Sequence, residues 1–272
     1  MDNINICEKE NAKSERSLRR IMLSVAYDGT NYHGWQIQPK SITIEGVLNT
    51  CLTDLFGEEI QVIGASRTDA GVHALGNIAV FDTHARIPAD KMPYACNQRL
   101  PEDIRIQKAW EVPLDFHPRK CESRKTYEYR ILNTKFQLPS KRLYSHWTYL
   151  PLDERKMQEA AKVLVGEHDF TSFCSIYSQS ENHVRTIYDC RIFREGENEI
   201  VIRVTGNGFL YNMVRIIAGT LMEAGQGKRD AENVKAVLEA KDRTKAGPTA
   251  PAKGLTLYRY EFLTPFADFT NS

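Results

Sequence analysis

The chain has 272 residues, 42% of them hydrophobic and 26% charged, with a formal net charge of +1. That length buries a sizeable core in one or two domains, and the ordinary composition excludes a disordered or membrane-embedded chain. A near-neutral balance neither demands nor forbids an anionic partner, because binding depends on where Lys and Arg cluster.

The six cysteines (Cys7, Cys51, Cys96, Cys121, Cys174 and Cys190) are scattered, without Cys-x-x-Cys spacing. They read as reduced thiols in a reducing compartment, with no structural zinc. The histidines are equally dispersed. Residues 1–18 are polar and fit neither a signal peptide nor an anchor, so they are expected to be a frayed tail on a cytoplasmic protein. Residues 265–272 form a second expected tail, and no stretch reaches the length of a membrane span.

Taken in chain order, Arg20–Tyr27 is an apolar strand run closed by the turn signal Asp28-Gly29-Thr30. Ile44, Val47, Leu48, Cys51, Leu52 and Leu55 recur at helical spacing across Thr43–Phe56, and Gly57 ends the helix. Ile60–Gly64 and Ala74–Phe81 read as strands, Ala89–Leu100 as a helix after Pro88, and Ile104–Val112 as a fourth strand. The sum is β-α-β-β-α-β, the split ferredoxin-like order. In the second half, strands are predicted at Lys125–Leu132, Val184–Phe193, Ile200–Gly206 and Leu255–Glu261. Helices are predicted there at Asp153–Val165, Gly208–Ala224 and Asp230–Ala240. The fold class is therefore α+β. Two ferredoxin-like-derived antiparallel-sheet domains, 19–113 and 114–264, are expected to meet near Pro113–Arg119 with an active-site cleft between them.

One loop stands out for its chemistry. Ala65-Ser66-Arg67-Thr68-Asp69-Ala70-Gly71-Val72-His73-Ala74 joins two predicted strands. An Arg two residues before an Asp can fold back and pair with it, and Gly71 permits a tight turn. An adjacent cation favours the ionised carboxylate, which suits a base or nucleophile. A generic Arg-x-Asp is more often an ordinary ion-paired turn.

The match is longer than that pair. Arg67 to Ala74 resembles the signature loop of the tRNA pseudouridine synthase A family. Ala26-Tyr27-Asp28-Gly29-Thr30, Gly34-Trp35-Gln36-Ile37-Gln38, Phe116-His117-Pro118-Arg119, Lys125-Thr126-Tyr127-Glu128-Tyr129, Gly206-Asn207-Gly208-Phe209-Leu210 and Ala250-Pro251-Ala252-Lys253-Gly254-Leu255 resemble further family segments in the right order. The resemblance spans about Arg20 to Glu261. Three places depart from it: Ser66 stands where the pattern has glycine, Asn77-Ile78 replaces Gln-Val, and Cys174–His183 is rich in Ser and Gln.

The resemblance implies an isomerase that turns uridine into pseudouridine in the tRNA anticodon stem-loop, at tRNA positions 38 to 40, acting as a homodimer. That reaction is redox-neutral, so no nucleotide or metal cofactor is expected. Asp69 would be the catalytic carboxylate, with attack at uracil C6, attack at C1′ and proton removal from C2′ all open. Arg67 would orient Asp69 and keep it charged, and Tyr127 would stack on the base or handle the C5 proton. Arg215, on an otherwise apolar helix, would face Asp69 or the backbone of a flipped nucleotide. Leu255 would wall the uracil pocket. Two basic clusters would track phosphates: Arg119, Lys120, Arg124 and Lys125 beside Tyr127, and Lys241, Arg243, Lys245 and Lys253 in a Gly/Pro-rich segment. A non-catalytic RNA-binding module needs no Asp69. A glycoside hydrolase needs a second carboxylate that the loop does not offer.

Overall fold

The computed structural model describes residues 17–263, so the expected tails lie outside the described residues except for Ser17 and Leu18. In chain order the elements are β1 (Arg19–Tyr27), α1 (Ile44–Phe56), β2 (Ile63–Gly64), β3 (His73–Thr83), α2 (Met92–Asn97), β4 (Ile104–Val112), β5 (Ser123–Asn133), β6 (His146–Thr148), α3 (Glu154–Lys162), β7 (Gly166–Asp169), β8 (Val184–Glu195), β9 (Glu199–Gly206), α4 (Met213–Gly225), α5 (Ala231–Ala240) and β10 (Leu255–Phe262). The main path of the sheet runs β4-β1-β3-β10-β5-β9-β8-β7, with β2 beside β3 and β6 beside β5.

Local chemistry explains the helix ends. Thr43 caps α1 by accepting from the Gly46 backbone N–H, and Gly57 closes it in the left-handed region at φ 67°. Asp153 caps α3, and Asp230 forms a capping box with Asn233 at α5. Two helices are shorter than their apolar patterns suggest. The segment expected as Ala89–Leu100 splits into a 3-10 turn and α2, with a proline in the first turn of α2. The segment expected from Gly208 becomes helical only at Met213, because Asn212 sits at φ 61°. Residues 208–212 instead form an irregular entry to the helix. The polar strand β7 and the short β6 have no apolar signature, and the sequence did not announce them.

The two halves share one sheet. Their seam is a short parallel pairing of β10 with β3, Thr256 opposite His73 and Leu257 opposite Ala74. One face is covered by the helices, and its apolar core runs without a break from Leu23 and Leu48 in the first half to Ile202, Ile217 and Leu257 in the second. A smaller cluster on the opposite face joins Met22, Val80 and Val112 to Tyr260 and Phe262 through Phe116. Phe116 packs edge-on against Phe262 at 5.6 Å, and its carbonyl accepts from Arg20 Nη1 at 2.8 Å. Burying such a ring stabilises the fold by about 2–3 kcal/mol. The segment 113–119 is thus packed against both halves.

Candidate active site

The Asp69 loop is fixed from several sides. Asn77 Nδ2 donates to the Ser66 carbonyl at 2.9 Å, and the Thr68 hydroxyl hydrogen-bonds the Tyr27 hydroxyl at 2.8 Å. The Thr68 carbonyl accepts from the Trp35 backbone N–H at 3.0 Å, and Gly71 N–H donates to the Tyr32 carbonyl at 3.2 Å. A turn within the loop, Val72 N–H to the Asp69 carbonyl at 3.1 Å, sets the direction of the carboxylate. Gly34 (φ 85°) must lack a side chain here, since a Cβ would lie 2.4 Å from the Thr68 carbonyl oxygen.

The cation opposite Asp69 comes from 146 residues away. Arg215 Nη1 lies 3.1 Å from Asp69 Oδ2, both side chains being 18% exposed. Arg215 occupies the first turn of α4, where the helix end also favours an anion. Its Nε donates to the Ala250 carbonyl and its Nη1 to Asn212 Oδ1, each at 2.8 Å, while its own carbonyl accepts from Ala250 N–H. Asn212 therefore both starts the helix and steadies the arginine. Burial lifts the Asp69 carboxyl above its ordinary value, and Arg215 pulls it back.

Arg67 does not take the role expected of it. It is exposed, and the ion pair of Asp69 is made by Arg215. Thr68, between Arg67 and Asp69, is tied inward to Tyr27. Arg67 does still line the cavity.

That cavity has a volume of about 870 Å³, and among the described residues Asp69 is the only carboxylate on its wall. Tyr127 and Leu255 line it. The Tyr127 ring is buried and meets Phe209 edge-on at 5.2 Å, and burial pushes its phenol far above the ordinary tyrosine value. Tyr129, its neighbour on the same strand, is fully buried and donates to the Pro251 carbonyl at 2.9 Å, which makes it a support for the segment before β10. Besides the 209–214 segment, the rim takes residues from two loops not foreseen as site elements. One brings His33, Gln36 and Gln38, and the other Tyr177, Ser178, Gln179 and Ser180, with Arg185 beside them. The unusual Ser/Gln content of 174–183 was the signal for the second. Phe209 was visible in its motif but was absorbed into a predicted helix.

The basic clusters divide. Arg119 and Lys125 line a second pocket of about 250 Å³ that shares Arg67, Tyr127 and Phe209 with the first. Burial, with Arg119 and Arg185 nearby, pushes the Lys125 ammonium down to about 8. The Lys241–Lys253 segment is not brought to either pocket. Lys245 lines a separate hollow with Glu223 and Arg229, by the far end of α4. Lys253 lies close enough to His146 to help burial lower that imidazole. Lys241 pairs with Asp169 at 3.0 Å, and Arg243 donates to the Gly247 carbonyl and Thr249. Charge density alone did not distinguish these internally used cations from free ones.

No group of three or more metal-ligating side chains occurs among the described residues. Cys51, Cys96, Cys121, Cys174 and Cys190 are free thiols, and Cys7 lies outside the described residues. No described helix is long and apolar enough to cross a membrane.

Comparison with known proteins matches residues 23–119 and 160–262 to the family model described as tRNA pseudouridine synthase. The chain belongs to that family. Proteins named tRNA pseudouridine synthase A agree with it over nearly their whole length. That of Thermoanaerobacter sp. is 48% identical over 242 residues, 89% of this chain and 99% of the relative. That of Brevibacillus brevis is 47% identical over 241 residues, 89% and 98%, and that of Halalkalibacterium halodurans 48% over 239 residues, 88% and 90%. As a tRNA pseudouridine synthase, the protein is an isomerase that converts uridine to pseudouridine in tRNA.

Proposed function

We propose that Asp69 is the catalytic carboxylate and that the uridines isomerised lie in the anticodon stem-loop, at tRNA positions 38 to 40. The observation that carries this reading is the Asp69–Arg215 pair at 3.1 Å, set in the wall of a cavity with no other carboxylate among the described residues. The target uridine leaves its stack to reach that wall, as substrates of base-modifying enzymes do. The C1′–N1 bond then breaks, the uracil turns, and C1′ bonds to C5. The C5 proton is lost and N1 gains one, so the net reaction is an isomerisation. Asp69 acts ionised, as a base at C2′ or a nucleophile at C6 or C1′.

Tyr127 works as a neutral ring. Its raised phenol stays protonated at neutral pH, which suits stacking or donating rather than accepting the C5 proton. Leu255 closes the uracil pocket, and Arg67, Arg119 and Lys125 meet RNA phosphates. The protein acts as a cytoplasmic homodimer, and each half of the chain is a ferredoxin-like unit, the join falling at 113–119.

Asp69→Asn tests the assignment. Pseudouridine formation should vanish while stem-loop affinity stays within about threefold, since a neutral amide of the same shape keeps a partner for Arg215. Turnover at the wild-type rate in Asp69→Asn would rule out the assignment. Mapping pseudouridines in tRNA from cells with and without the protein tests the positions.

A further inference from the structure

A helix is normally opened by an extended residue whose side-chain oxygen accepts from a backbone N–H of the first turn, and asparagine is among the residues best suited to this. Asn212 opens α4 differently. It holds the N-cap position at φ 61° and ψ 7°, in the left-handed region, and its side chain makes no capping bond. Left-handed backbone is unfavourable for a residue with a side chain, although asparagine tolerates it better than most. One residue thus combines a mild backbone strain with a forgone cap. Strain of this kind persists where the surrounding structure enforces it, and it clusters at functional sites.

The Asn212 side chain is engaged by Arg215 instead. Its Oδ1 accepts from Arg215 Nη1 at 2.8 Å. A guanidinium has donors only, so the amide atom that faces it is the oxygen. The same Nη1 reaches Asp69 Oδ2 at 3.1 Å, and Nε donates to the Ala250 carbonyl at 2.8 Å. Nη1 carries two hydrogens, one for each of its two oxygen partners. Three acceptors around one planar fork fix its plane as well as its position. Ala250 grips the Nε end and Asn212 the Nη1 end, so Asp69 meets a guanidinium already aimed at it. The Asn212 carbonyl accepts from Ile216 N–H at 3.0 Å, which ties this grip to the body of the helix.

We propose that Asn212 is a positioning residue, which aims Arg215 at Asp69 and acts on the reaction through that arginine. The proposal rests on the reading of Asp69 as the catalytic carboxylate. Asn212 also stands in the wall of the 870 Å³ cavity, so direct contact with RNA is the role from which this one must be separated.

Asn212→Gly removes the amide and leaves a residue at home in the left-handed region, whereas Asn212→Ala removes the amide and adds strain. Single-turnover pseudouridine formation at saturating stem-loop should fall about tenfold in both, the low end of what one hydrogen bond to a charged group contributes. KM should stay within about twofold of wild type, since the lost contact is not one with substrate. The two variants should differ in stability but not in rate, Asn212→Ala melting about 3–5 °C below Asn212→Gly. Adding Asn212→Gly to Arg215→Ala should lower the rate no further, because the arginine through which Asn212 acts is gone. A wild-type rate in Asn212→Gly overturns the proposal. A raised KM with an unchanged rate means that the amide touches RNA directly, and overturns it too. So do losses that multiply in the double variant, or rates that track melting temperature across the two single variants. Asp69→Asn keeps the two readings apart. An active Asp69→Asn removes the active-site assignment and this role with it, whereas an inactive one beside a fully active Asn212→Gly removes only the positioning role.

Discussion

Arg215→Ala should move the acid limb of the pH–rate profile to higher pH. The carboxyl of Asp69 is already raised by burial, and Arg215 is the group that opposes this. A charge-assisted hydrogen bond at 3.1 Å between partly buried groups is worth about 1.5–3 kcal/mol. Its loss lifts the carboxyl further above its ordinary value. In the role proposed for Asp69 the ionised form is the active one, and it is lost as pH falls through the folded-state value, so raising that value moves the limb upward. Solvent entering the space left by the guanidinium works against the full shift. Single-turnover pseudouridine formation, measured from pH 5 to 9 at saturating stem-loop, reads the limb directly. Arg215→Lys should recover part of the effect by restoring the charge without the fork that reaches both Asp69 and Ala250. An acid limb unmoved in Arg215→Ala would refute the claim that this pair sets the ionisation of Asp69.

Three further substitutions probe the frame around the pair. Gly34→Ala should lower stability by about 2–4 kcal/mol in urea unfolding, because it combines a left-handed backbone with a clash at the Thr68 carbonyl; stability within about 0.5 kcal/mol of wild type would show that the loop yields freely. Lys125 is depressed from 10.5 to about 8, so its charge costs stability below about pH 8 and that cost is relieved as pH rises toward 10.5. Lys125→Met should therefore melt higher than wild type at pH 7, with the difference vanishing above the upper end of that window; it should also bind RNA more weakly at pH 7. Tyr177→Ala should raise KM for the stem-loop by about tenfold, the loss of one aromatic stacking partner for a base, with Tyr177→Phe close to wild type; equal KM values for Tyr177→Ala and wild type would exclude stacking there.

Much of this was legible before any coordinates. The longer strand runs, the Thr43–Gly57 helix and the Asp69 loop are local signals that appear where their residues place them, whereas the strand expected over Ile60–Gly64 pairs only at Ile63–Gly64. Pairings between distant residues were harder. Arg67 lies near Asp69 in sequence and Arg215 does not, yet it is Arg215 that pairs with Asp69, on the chain segment that the β3–β10 seam brings alongside. The irregular entry to α4 was hidden because Leu210, Met213 and Val214 continue an apolar helical pattern through a residue at positive φ. The lysines near residue 245 illustrate a third limit. Their charge was plain, but whether a cation faces a carboxylate, a carbonyl or open solvent depends on tertiary neighbours.

The seam between β3 and β10 is two residue pairs long, and it stands directly beside the proposed site. His73 and Ala74 follow the Asp69 loop, while Thr256 and Leu257 follow Leu255 and the segment whose Ala250 carbonyl anchors Arg215. Registration of those few residues therefore ties the position of the Asp69 carboxylate to the position of its arginine.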